Sequence, residues 1–166
     1  MISKFKIILL TPFLILTITL SSTFEQNGVK EGNTKISIGF DDDKTKGKEA
    51  NRKFYGSYGN FISNDVELFV KLKYSTEAGI DSCFLELGGS YYFLKSVTLT
   101  PYIGYGAGIE CINSQWGTSD EEDAFIGIHN FLSENIAIST EFGVDIINAT
   151  EYLGRYLSVN LTYFFD

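Results

Sequence analysis

The sequence predicts an all-β fold, an eight-stranded antiparallel up-and-down transmembrane β-barrel preceded by a cleaved signal peptide. Three observations carry that prediction. Fourteen Phe, ten Tyr and sixteen Gly among 166 residues, against two Pro and one Met, suit strands better than helices. Alternation of apolar and polar residues with period two recurs in eight segments beyond residue 33, while no 3.6-residue period outlasts a turn or two. The connections between these segments alternate between short and long.

At the N-terminus, Lys4 and Lys6 precede the apolar runs Ile7 to Leu10 and Phe13 to Leu16, and Ser21, Ser22 and Thr23 close the stretch. A basic head, an apolar centre and a small-residue exit define a signal peptide over residues 1–23. Its apolar core of roughly 14 residues, broken by Pro12, falls short of the roughly 20 that a membrane-spanning helix needs. A short N-terminal segment at 24–33 leads into the barrel at 34–166. Losing Lys4 and Lys6 with the leader takes the formal charge from −8 to −10. That balance argues against nucleic acid and against docking on an anionic surface, and it fits an exported chain kept soluble in transit by self-repulsion. Export permits the two cysteines, Cys83 and Cys111, to pair.

The first strand runs from Thr34 to Asp43, with Ile36, Ile38 and Phe40 opposite Lys35, Ser37 and Gly39. The second covers about Arg52 to Phe61, where Gly56 and Gly59 blur the parity and leave its faces unassigned. After a tight Ser63-Asn64-Asp65 turn, Val66 to Ser75 sets Val66, Leu68, Val70, Leu72 and Tyr74 against Glu67, Phe69, Lys71 and Lys73. Cys83 to Phe93 sets Leu85, Leu87, Tyr91 and Phe93 against Glu86, Gly88, Ser90 and Tyr92. Val97 to Cys111 sets Leu99, Ile103, Tyr105, Ala107 and Ile109 against Thr100, Tyr102, Gly104, Gly106, Gly108 and Glu110. Asp123 to Phe131 places Ala124, Ile126 and Ile128 opposite Phe125, Gly127 and His129. Ile136 to Ile147 places Ile138, Phe142 and Val144 opposite Ala137, Ser139, Glu141 and Asp145. The last strand, Leu153 to Phe165, places Leu157, Val159, Leu161, Tyr163 and Phe165 opposite Tyr156, Ser158, Asn160 and Thr162.

Alternation alone does not say which face is buried. A soluble carrier of the lipocalin kind turns the Leu68, Val70, Leu85 and Leu87 face inward around a ligand; a membrane barrel turns it to lipid. Segments of about ten residues match a tilted membrane-crossing strand. Short connections at 62–65, 94–96 and 132–135, against longer polar ones at 44–51, 76–82, 112–122 and 148–152, match short turns on one side and loops on the other. A Lys at the bilayer midplane costs roughly 2–4 kcal/mol on the lipid face, so Lys71, Glu86 and Glu141 belong in the lumen. Eight strands leave a lumen just wide enough for side chains; Gly104, Gly106 and Gly108 are expected to make room there for Tyr92, Tyr102 and Tyr156. Aromatic girdles are expected from Phe61, Phe93, Tyr163 and Phe165 at the turn end and from Tyr74, Trp116 and Tyr152 at the loop end.

The leader, the eight alternating strands and the terminal run Leu157-x-Val159-x-Leu161-x-Tyr163-x-Phe165 resemble the small outer-membrane β-barrel family typified by the OmpA transmembrane domain and OmpX. The resemblance spans about residues 34–166. It implies a monomer in the cell outer membrane, in contact with outer-membrane lipid and lipopolysaccharide, with a last strand that addresses the barrel-assembly machinery. With the chain ending at that strand, no peptidoglycan-binding domain is expected.

His129 is the single His, so any His-dependent catalysis runs through it. Lipid A-modifying barrel enzymes use a His, a Ser and an acid, and Ser133 or Ser139 with Glu141 are the available partners; the His-x-Ser-Asn signature of those enzymes is absent. The expected role of His129 is a hydrogen-bonded lumen residue. Lys71, Lys73, Glu67, Glu86, Glu110, Glu141 and Asp145 are expected to form a lumenal ion-pair network. The acidic run Asp120 to Asp123 and the basic residues Lys44, Lys46, Lys48, Arg52 and Lys53 read as solvated loops. Cys83 and Cys111 fall toward the loop end of neighbouring strands but are expected to be offset by several residues. No catalytic, cofactor-binding or metal-binding motif is present, so the functional expectation is a non-enzymatic barrel serving the envelope, or surface interactions, through its extracellular loops.

Overall fold

The computed structural model describes residues 29–45, 51–77, 80–95, 98–112, 115–117, 121–147 and 151–166. The signal peptide and the basic residues Lys46 and Lys48 lie outside the described residues. Eight long strands of 11 to 15 residues form the wall: β1 (Thr34–Thr45), β2 (Asn51–Phe61), β3 (Val66–Glu77), β4 (Ile80–Tyr92), β5 (Leu99–Ile112), β7 (Glu121–Phe131), β8 (Ile136–Ile147) and β9 (Glu151–Phe165). A two-residue strand, β6 (Gln115–Trp116), pairs with the end of β5. Each long strand meets its sequence neighbour antiparallel, and β1 pairs with β9 from Thr34↔Phe165 to Thr45↔Gly154, closing the sheet on itself. A closed sheet leaves no strand edge unpaired, which is the condition for crossing a membrane with strands.

The short turns are built alike. Ile62 N–H donates to the Val66 carbonyl at 3.0 Å and Leu132 N–H to the Ile136 carbonyl at 2.8 Å. The Ser63 hydroxyl additionally accepts from the Asp65 and Val66 amides, at 3.2 and 3.1 Å. At the same end, residues 29–33 fold across the opening: Gly32 N–H donates to the Phe61 carbonyl at 2.9 Å, and Val29 is buried in the aromatic cluster below. Gly32 sits at φ 87°, a left-handed conformation that glycine adopts freely.

Apolar side chains face outward and polar ones inward. Leu68, Val70, Leu87, Ile103, Ile126 and Leu161 are exposed around the wall, whereas Glu67, Glu86, Ser158 and Thr162 are fully buried. This reverses the arrangement that a soluble lipocalin-like carrier needs. The parity of β2 is regular once paired: Phe54 and Tyr58 point out and Tyr55 and Phe61 point in. Gly56 faces out and Gly59 faces in, so the alternation loses a marker on each side.

Several expectations are corrected by the register. Phe61 is a lumen residue, 1% exposed, and not part of a girdle. Tyr74, Trp116 and Tyr163 do face outward, and Tyr163 stacks on Phe165 at 6.0 Å. The glycines of β5 accommodate other neighbours than expected: a Cβ on Gly104 would lie 2.2 Å from the Phe125 ring, and one on Gly106 2.2 Å from a Glu86 oxygen. Tyr102 and Tyr156 lie instead against Gly127 and Gly143. Asp123, read with the loop run Asp120 to Asp123, is buried in the lumen because β7 already begins at Glu121, and Asp41, within the first strand, is buried there as well. Cys83 and Cys111 are not offset; they are direct partners across β4 and β5.

Candidate functional site

The lumen is filled in two layers. On the short-turn side, Phe61, Tyr92, Tyr102, His129, Phe131 and Phe164 form one aromatic plug. Tyr102 stacks on His129 at 4.6 Å and on Tyr92 at 5.1 Å, Phe131 lies 5.1 Å from Phe164, and Phe164 meets the His129 ring edge-on at 5.3 Å. Offset and edge-on contacts of this kind add to the burial of each ring. Hydrogen bonds and an ion pair cross the plug. Lys35 Nζ donates to Glu67 at 2.8 Å and to the Tyr92 hydroxyl at 3.1 Å, and that hydroxyl donates to Glu67 at 2.5 Å.

His129 is held from both ring nitrogens, Nδ1 with the Ser139 hydroxyl at 2.5 Å and Nε2 with the Tyr92 hydroxyl at 3.2 Å. The Ser139 hydroxyl also bonds Thr162 at 2.7 Å, and Thr162 bonds Ser37 at 2.9 Å. The sequence therefore identified His129 as a bonded lumen residue and brought Ser139 to it. Ser133 is in the turn after β7, its amide donating to the Ile136 carbonyl at 3.2 Å. Glu141 accepts from Tyr55, Ser158 and Asn160 at 3.3, 3.1 and 3.5 Å instead of orienting the histidine. His129 and Ser139 are each 1% exposed, so a substrate has no route to this pair as it stands.

Toward the loops the filling becomes ionic. Lys71 Nζ lies 3.8 Å from Glu86 and 3.9 Å from Glu141, and Lys73 lies 3.0 Å from Glu86 and bonds Asp123. Of the expected network, Lys71, Lys73, Glu86 and Glu141 are joined by ion pairs and Asp145 is buried in the lumen, whereas Glu67 pairs with Lys35 in the plug and Glu110 is half-buried; Lys35 and Asp123 are members that the sequence reading did not enlist. Both inner lysines also lie over rings, Lys71 at 4.8 Å from the Phe125 centroid and Lys73 at 5.2 Å from that of Tyr156. Three buried lysines face six buried carboxylates, Asp41, Glu67, Glu86, Asp123, Glu141 and Asp145, which leaves the described lumen net acidic. Where the layers meet, a void of about 20 Å³ touches Lys35, Lys71, Tyr102, His129 and Glu141. That is room for about one water and not a channel.

Outside the wall, a shallow apolar groove opens over the outward Gly56 between Ile38, Phe54, Leu72 and Leu161. Near the loop-side rim, Tyr74 and Thr76 both donate to Asp81, at 3.0 and 2.8 Å, fastening β3 to β4 where the polar loops begin.

No family model matches the sequence, and no curated protein does. Solved structures do match. The N-terminal β-barrel domain of OprF from Pseudomonas aeruginosa superposes with a TM-score of 0.64 at 18% identity, over 81% of this chain and 98% of that one. Neisserial surface protein A, NspA, gives 0.59 at 16% identity, over 79% of this chain and 95% of that one. Ail, the attachment invasion locus protein of Yersinia pestis, gives 0.53 at 17% identity, over 81% of this chain and 99% of that one. The fold is that of the small eight-stranded outer-membrane β-barrels, as the alternation of the sequence predicted.

Proposed function

We propose that this chain is a monomeric, non-enzymatic outer-membrane protein whose barrel is a closed anchor for the polar loops above it. The inversion of its faces carries the reading: Leu87 is 62% exposed while its neighbour Glu86 is fully buried, and the same reversal runs round the wall. Water would make the outer face costly, at about 25 cal/mol per Å² of apolar surface, and hydrocarbon removes that cost. The two-layer filling supports an anchor in preference to a pore. A buried, doubly bonded His129, with no acid bonded to its ring among the described residues, speaks for a structural histidine. The solved structures of like fold include an attachment invasion locus protein, which supports a role in surface interaction.

Cell fractionation followed by gel electrophoresis with and without boiling in SDS tests this reading. The expected result is a protein in the outer-membrane fraction whose mobility changes on boiling, because a closed sheet with every strand paired resists SDS until heated. A protein in the soluble fraction with one mobility overturns it.

A further inference from the structure

Cys83 and Cys111 are the two cysteines of the chain. They face each other as Cα partners of β4 and β5, one pair below Ser82↔Ile112 at the loop-side rim. Opposed residues of an antiparallel ladder stand about 4.5 or 5.5 Å apart at Cα, according to whether the pair is hydrogen-bonded, and their side chains share one face of the sheet. Both separations lie within the span that a disulfide bridges without backbone movement. Both thiols are free, and their surroundings differ. Cys83 is half-buried, whereas Cys111 is buried between β4 and the short strand β6, where Trp116 is its opposite number.

We propose that Cys83 and Cys111 form an intramolecular disulfide that pins the rim of β4 and β5; its formation in the cell rests on the export argued above. The oxidant is a small or protein disulfide. The Cys83 thiolate, the accessible one, attacks one sulfur of that disulfide and displaces the other as a thiol. The Cys111 sulfur then attacks Cys83 in the mixed disulfide, and the second thiol of the oxidant leaves. Two cysteine S–H bonds are lost, one S–S bond forms, and the external disulfide takes up two electrons and two protons as a pair of thiols. The bridge encloses the β4–β5 hairpin and removes conformations from the unfolded chain.

The pairing is tested on barrel refolded in detergent micelles, equilibrated with oxidised and reduced glutathione, blocked with N-ethylmaleimide and weighed by mass spectrometry. The wild type is expected to lose two hydrogens and to carry neither glutathione nor maleimide. Cys111→Ser is expected to hold one glutathione on Cys83, and Cys83→Ser to leave its buried Cys111 without glutathione. Maleimide or glutathione on both cysteines of the wild type overturns the pairing. Pinning is read from the temperature at which the boiled gel mobility appears: dithiothreitol is expected to lower it in the wild type and not in the Cys83→Ser/Cys111→Ser variant. An equal response in both overturns the pinning. Because the micelle experiment does not involve export, a bridge there with reduced thiols in cells counts against export and not against the pairing.

Discussion

The two layers of the lumen close the same barrel by different physics. The turn-side plug is rings packed on rings, crossed by hydrogen bonds and an ion pair; the loop-side layer is lysines wedged between carboxylates. Packing contributes through area and shape, so losing a ring leaves a cavity whose cost grows with its volume. An ionic layer contributes little net stability over an apolar one, yet removing one partner strands a buried charge. The loop-side half is therefore the less forgiving, even though the turn-side half holds the larger side chains.

Lys73→Met sharpens the comparison most. It leaves Glu86 and Asp123 without their shared cation, and the expected loss is about 3–5 kcal/mol in urea unfolding from lipid vesicles. Phe164→Ala should cost roughly 3–5 kcal/mol by the same measurement, with much of that loss recovered in Phe164→Leu, since an aliphatic side chain refills a packed site but cannot pair a charge. On the outer wall, Val70→Lys should cost about 2–4 kcal/mol in vesicles; little change would say that this face meets water. At the turn-side rim, Lys95 lies 2.7 Å from Asp65 with both side chains in partial contact with solvent, and Lys95→Ala should shift stability by no more than about 1 kcal/mol.

The sequence displayed the wall more clearly than the filling. Strand number, order and the faces of β3, β4, β5, β7, β8 and β9 were legible because a lipid-facing row must be apolar at every second position, and a long row resists coincidence. The parity of β2 was hidden by Gly56 and Gly59, which place a residue without a side chain on each face. Asp123 read as part of a loop run because the lumen of a membrane barrel accepts the same residue types that a solvated loop does, so the loop-side end of a strand carries no compositional mark. Phe61 read as a girdle residue because an aromatic near a turn suits either the interface or a plug. The register of the cysteines depended on the β4–β5 connection. A turn limited to Leu94–Ser96 sets Cys83 opposite Ala107, whereas pairing that stops at Tyr92↔Tyr102 sets it opposite Cys111. Leu94 takes φ 49° in that connection, a conformation uncommon for leucine and not announced by its identity.

The most direct measurement of the inverted faces is fluorescence from Leu87→Trp in a Trp116→Phe background, reconstituted in bilayers of phospholipid with or without bromine on the acyl chains. Position 87 is on the outward face of β4, so strong quenching by the brominated chains and little by aqueous acrylamide is expected. Emission that ignores brominated lipid and is quenched by acrylamide would contradict a barrel that meets hydrocarbon with its apolar face.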